Sequence, residues 1–187
     1  QGAVGVSESG MHLADEQLVG VDGAVLAADH VVELGTANGY SAMWFCLALR
    51  STRGRLTTHE INPKRISLAR ENFRRAGVED MVRLVEGDAH ETIMKLAGPI
   101  DLVLLDAEKE GFTDYLNKLL PLVRKGGLII AHDSSGQAHL IHDYFHAIVE
   151  HPDLETVFVD ASGEQVLHKT GLDTLLLGDQ RFRLLNR

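Results

Sequence analysis

Five short stretches carry residue types that can do chemistry. In "VVELGTANGYS" (31–41), Gly35 and Gly39 bracket a turn between an apolar run and a helical-looking segment. Missing side chains there let a ligand approach the backbone, and a helix N-terminus offers it free N–H groups. A bare strand-to-helix turn would use the same glycines. The dinucleotide fingerprint Gly-x-Gly-x-x-Gly is not met, because Ala37 stands where its second glycine belongs. "RLTTHE" closes on Glu60; an acid at the tip of a second strand accepts hydrogen bonds from ribose hydroxyls, or else is a solvated helix cap. "GDA" (87–89) ends a third run, with Asp88 either lining an adenine pocket or capping the next helix. "LLDAEKEGF" presents Asp106, Glu108 and Lys109, and "GLIIAHD" runs an apolar strand into His132 and Asp133. Carboxylates and an imidazole at two neighbouring strand ends suit a divalent cation. Oxygen ligands favour Mg²⁺, Ca²⁺ or Mn²⁺, and the imidazole draws toward transition metals. The alternative is a capping Asp133 beside a partly exposed His132.

The elements that must position these residues follow from periodicity. Apolar runs begin at His30, Arg55, Met81, Ile100 and Gly127, with helical segments between them. That βαβ rhythm, with runs apolar on both faces, predicts a parallel sheet covered on both sides. The carboxyl ends of such strands open on one edge, so Glu33, Gly35, Glu60, Asp88, Asp106 and Asp133 are expected to face a common crevice. "NPKRISLARENFRRAG" sets Ile66, Ala69, Phe73 and Ala76 at helical spacing, with Pro63 in the first turn and Gly77 as the stop. Arg70, Arg74 and Arg75 then form a solvated face. A further helix is expected over 137–150, where His142 and His146 stand at zinc-compatible i, i+4 spacing near His139. No third ligand is evident, and these read as surface histidines. "LETVFVD" and "GLDTLLLG" read as two final strands, paired antiparallel because no crossover helix fits the polar stretch 161–170 between them.

Composition narrows the classes. The chain has 187 residues, 44% hydrophobic and 24% charged, enough for one compact domain over 1–187. A formal net charge of -9 argues against nucleic acid as the partner. The one cysteine, Cys46, lies in the apolar run "SAMWFCLAL" and reads as packing in a reducing compartment. There is no apolar run long enough for a membrane span and no signal-peptide pattern at the start, so a cytoplasmic, non-membrane protein is expected.

Taken in order, "VVELGTANGYS", "TTHEINPKRISLARENFRRAGVEDMVRLVEGDA", "DLVLLDAEKEGFTDYL" and "LVRKGGLIIAHD" resemble the cation-dependent class I methyltransferases that use S-adenosylmethionine. That group contains catechol and caffeoyl-CoA O-methyltransferases, and the resemblance runs over about 10–178. It implies a doubly wound, Rossmann-like α/β fold: a mostly parallel seven-stranded sheet, an antiparallel last strand and helices on both faces. It implies further that Glu33, Gly35, Gly39, Tyr40 and Ser41 hold the methionine end of the cofactor, Glu60 the ribose, and Asp88 with Ala89 the adenine side. Asp106 would touch both cofactor and metal, with Lys109 near the accepting hydroxyl as a general base. The family's fifth strand usually ends Ala-Asp-Asn, whereas this one ends Ala131-His132-Asp133. Two expected metal ligands are therefore changed, leaving Asp106, His132 and Asp133 as the ligand set here. Glu164 matches a family acid that contacts a second acceptor hydroxyl. The expected reaction is methyl transfer to a hydroxyl of a small, catechol-like aromatic molecule, aided by Mg²⁺ or a similar cation, in a chain whose relatives are often homodimers. The competing expectations are a metal-independent methyltransferase with His132 as base and a non-catalytic cofactor-binding module.

Overall fold

The computed structural model describes residues 27–132, 140–159, 164–169, 175–177 and 180–182. The five apolar runs form β1 (His30–Leu34), β2 (Arg55–Glu60), β3 (Val82–Glu86), β4 (Ile100–Leu105) and β5 (Val123–Ala131). They lie side by side in the order β3-β2-β1-β4-β5, every pairing parallel. β1 and β4 are buried at every position, as central strands covered on both faces must be.

Alternation along each strand builds two cores. Val31, Leu56, Leu102 and Leu104 pack with Phe45 of α1 (Tyr40–Thr52) and Phe73 of α2 (Pro63–Ala76). On the opposite face, Val32, Leu34, Val103 and Leu105 pack with residues from two later helices. Those helices follow the single turn α3 (Ala89–Thr92); they are α4 (Phe112–Leu119), giving Phe112 and Tyr115, and α5 (His142–Glu150), giving Tyr144 and Ile148. The α2 boundaries fall where the sequence puts them. The Asn62 side chain accepts from the N–H groups of Lys64 and Arg65, Pro63 opens the first turn, and Gly77 ends the helix at φ 64°. Cys46 is buried in the first of these cores, where burial pushes its thiol up to about 12.

Three expectations need correction. β5 begins at Val123, ahead of the expected turn: Ile100 faces Val123 but Leu102 faces Leu128, so 124–127 bulge out of the ladder. α5 starts at His142, after a non-helical Ile141 that is itself buried; positions 137–139 lie outside the described residues. The sheet has seven strands with the seventh antiparallel, but that strand comes from an earlier segment than expected. β6 (Leu154–Val159) pairs with β7 (Glu164–Lys169), which lies in the stretch expected to be a connection, and β7 also pairs with β5, both times antiparallel. The segment expected to pair there instead forms β8 (Leu175–Leu177) with β9 (Gln180–Phe182) in a separate two-stranded sheet. β7 escapes a hydrophobicity reading because Glu164, Gln165, His168 and Lys169 make it mostly polar, while its ladder is made by backbone groups.

Candidate active site at the strand tips

The strand order reverses between β1 and β4, and ligands of open α/β sheets bind outside the carboxyl ends at such a switch point. A cleft of about 670 Å³ opens there, within the range of small-molecule sites. Gly35, Glu60, Asp88, Ala89 and Asp106 line it together. Four of the six residues expected to share a crevice therefore do so. Asp133 lies outside the described residues, and Glu33 is elsewhere.

Glu33 is fully buried, directly beneath the loop after β1. Its two carboxylate oxygens accept hydrogen bonds from the hydroxyls of Ser41, at the start of α1, and Thr58 on β2. The Thr36 hydroxyl joins that of Thr58 at 2.6 Å. Burial raises the Glu33 carboxyl to about 7 against the pull of those two hydroxyls. Glu33 and Ser41 thus bond to each other, tying the glycine loop to the floor of the sheet. A Cβ on Gly35, at φ 100°, would overlap the Asp106 carbonyl, and one on Gly39, at φ 84°, would enter the Phe73 ring. Their missing side chains admit the end of β4 and the α2 aromatic, and Gly35 lines the cleft as well. Tyr40 is at the surface, beside Met43 and Trp44 on the outer side of α1, and does not line the cleft.

Glu60 is 5% exposed at the cleft wall. One oxygen accepts from Ala37 N–H at 2.9 Å; the other accepts from Ile61 N–H at 3.0 Å and Asn62 N–H at 2.9 Å. A carboxylate has about four acceptor positions, so this one, pinned by three backbone donors, still has acceptor capacity. Asp88 caps α3 through the His90 N–H at 2.8 Å and also lines the cleft.

At the far wall, Asp106 Oδ1 lies 3.0 Å from His132 Nδ1 and 3.5 Å from Lys109 Nζ. Lys109 is nearly buried, donates to the His132 carbonyl at 2.9 Å, and its ammonium sits 5.0 Å from the centre of the Phe112 ring. The tips of β4 and β5 thus bring Asp106, Lys109 and His132 together. Among the described residues no group of three potential metal ligands forms.

Two histidines of the cleft escaped the sequence reading. His59 is 1% exposed, bonded through Nδ1 to Thr92 at 2.8 Å, and burial lowers it to about 4, so it is neutral. His90 stacks on Tyr115 with ring centres 4.5 Å apart. Adjacency to Glu60 and Asp88 was the available signal for both.

Residues 32–134, more than half of the chain, match the family profile described as a methyltransferase domain. A catechol O-methyltransferase of Mycobacterium tuberculosis is 33% identical over 152 residues, covering 75% of this chain and 69% of that protein. The chain belongs to the S-adenosylmethionine-dependent O-methyltransferases. A catechol O-methyltransferase of Niastella koreensis is 40% identical over 108 residues, 56% of this chain and 48% of its own length, so the methyltransferase spans about half of that relative. Among solved structures, cofactor-bound Rv0187 from MTB superposes on the methyltransferase with a TM-score of 0.80 at 27% identity, covering 88% of this chain and 83% of the other. The O-methyltransferase from Bacillus cereus in complex with SAH gives 0.79 at 22% identity over 87% and 84%, a likeness of fold. Among the described residues, no helix of the methyltransferase is long and apolar enough to cross a membrane.

Proposed function

We propose that this chain, folded as a single domain, moves the methyl group of S-adenosylmethionine to a hydroxyl of a small catechol-like aromatic acceptor. The observation that carries this reading is the shared cleft of Gly35, Glu60, Asp88 and Asp106 at the switch point. The donor set fits the cofactor. The acceptor capacity left on Glu60 suits ribose hydroxyls, Asp88 and Ala89 flank the adenine, and the loop over 35–41 receives the methionine end. Glu33 acts beneath that loop as a positioning residue, through its bonds to Ser41 and Thr58.

The acceptor oxygen attacks the methyl carbon in line with the departing sulfur. An O–C bond forms, the C–S bond breaks with its electron pair going to sulfur, and the hydroxyl proton passes to the protein. Alignment of oxygen, carbon and sulfur is the main task of the cleft. Lys109, after β4, is the proton-accepting group in this reading, and His132, at the tip of β5, takes that role only where no cation is bound. Asp106, His132 and Asp133 are assigned as ligands of a divalent cation, supported for the first two by their 3.0 Å approach. When bound, such a cation stabilises the ionised hydroxyl and fixes its position. A second reading is favoured by the Lys109 ammonium, which already sits 3.5 Å from Asp106: the protein's own cation serves, and no metal is needed. Turnover of catechol before and after exhaustive chelation decides between them. Loss of turnover restored by Mg²⁺ supports the metal; full activity after chelation supports the second reading. Absence of methyl transfer to any phenol in either state removes the proposed activity.

A further inference from the structure

The cofactor cleft has a wall that the reaction above does not use. His90 follows the Asp88-Ala89 segment on α3, and its ring reaches across to the loop after β4 and to α4. Nδ1 lies 2.5 Å from Asp114 Oδ2, and Nε2 lies 3.0 Å from Glu108 Oε1. Neither carboxylate is there by accident of a loose side chain. The Tyr115 hydroxyl donates to the same Glu108 oxygen, and Lys118 Nζ holds Asp114 at 2.6 Å and the His90 carbonyl at 3.0 Å. The Tyr115 ring stacks on the imidazole. Gly111 completes the fit: a Cβ there would stand 2.6 Å from Glu108 Oε1, 2.7 Å from Tyr115 and 3.0 Å from His90 Nε2, though its backbone, at φ −79°, would accept alanine.

A neutral imidazole has one N–H, which Asp114 takes up at Nδ1; Glu108, 3.0 Å from Nε2 as an ion-pair contact, would then face an uncharged ring. Two carboxylates within 3.0 Å of one ring favour its doubly protonated, charged form. We propose that His90, as an imidazolium between Asp114 and Glu108, is a positioning residue that clips the loop after β3 to the loop after β4 and so holds the adenine-side wall of the cofactor cleft. This rests on the cofactor reading above. The charged groups facing His90 are Asp88 on its own cap, Glu108 from the loop after β4, and Asp114 and Lys118 from α4; three acids outnumber one base. The Asp114 hydrogen bond first, then the charges of Asp114, Glu108 and Asp88, raise the His90 pKa against partial burial. The clip is therefore complete in acid and is lost as the pH rises through that raised value.

The test is calorimetric titration of S-adenosylhomocysteine into the wild type, His90→Gln and Gly111→Ala from about pH 5.5 to about pH 9. The ligand's own amine titrates alike in all three, so differences belong to the protein. Wild-type affinity is expected to fall about fivefold more than that of His90→Gln between the acid and alkaline ends. Gly111→Ala, whose added methyl crowds the clip, should bind weakly throughout, with the same flattened profile. Nitrogen-15 shifts of the His90 ring in the wild type supply a reading that needs no variant to fold: both nitrogens protonated at about pH 7. A neutral tautomer there, or parallel profiles for wild type and His90→Gln, overturns the clip alone. A wild type that binds no S-adenosylhomocysteine at any pH overturns the cofactor reading and the clip's role with it.

Discussion

At the scale of single residues, burial rather than type decides what a charged group does. Glu33 and Glu60 both stand at strand tips in motif positions, yet one is sealed under the glycine loop and the other lines the cleft. Because Glu33 sits near 7 in the folded protein against an ordinary 4.5, folding favours its protonated form. Its contribution is fullest below about pH 4.5, declines as pH rises to about 7, and is constant above that. Denaturant unfolding should show a loss of up to about 3 kcal/mol across that window, and Glu33→Gln should remove it; an unchanged slope in the variant would contradict the assignment. Glu33→Ala removes the acceptor of the Ser41 hydroxyl, leaves Thr58 only its Thr36 partner, and should cost about 2–4 kcal/mol. The sequence marked Glu33, Glu60, Asp88 and Asp106 because each ends an apolar run. It could not show that Ser41 and Thr58 would take up both oxygens of Glu33, nor that His90 would meet Glu108 and Asp114. Those pairs join segments with no shared period.

Elements account for why the loops hold their shape. The loop after β1 is wedged between the Asp106 carbonyl and the Phe73 ring, so glycine at 35 and 39 is required by packing as well as by φ. Gly35→Ala should lose more than about 3 kcal/mol from combined strain and overlap. Gly77→Ala, with nothing within 4 Å of the added methyl and only a φ of 64° against it, should lose about 1 kcal/mol. Equal urea midpoints for the two would refute the wedge. The parallel strands and α2 were legible beforehand because they are buried on two faces or amphipathic with clear caps. β7 was not, since four of its six residues are polar and its place beside β5 is fixed by a backbone ladder from far along the chain. The β5 bulge was hidden for a related reason: it depends on register against β4, which no local pattern encodes.

Over the whole molecule, both cores share one sheet, with helices on each side of the same strands. A single cooperative thermal transition is expected, and S-adenosylhomocysteine at about one hundred times its Kd should add about 2.7 kcal/mol of stability. Two separated transitions would contradict the single-domain reading. The central claim is that the tips of β1, β2 and β4 form one cofactor site, with Glu60 at its ribose end. Calorimetry with S-adenosylhomocysteine on the wild type and Glu60→Gln tests it most directly, with unfolding midpoints taken on the same samples. The account predicts one site per chain, and at least a tenfold loss, about 1.4 kcal/mol, in a variant that remains folded. No binding by the wild type, or equal affinity in the folded variant, would contradict it.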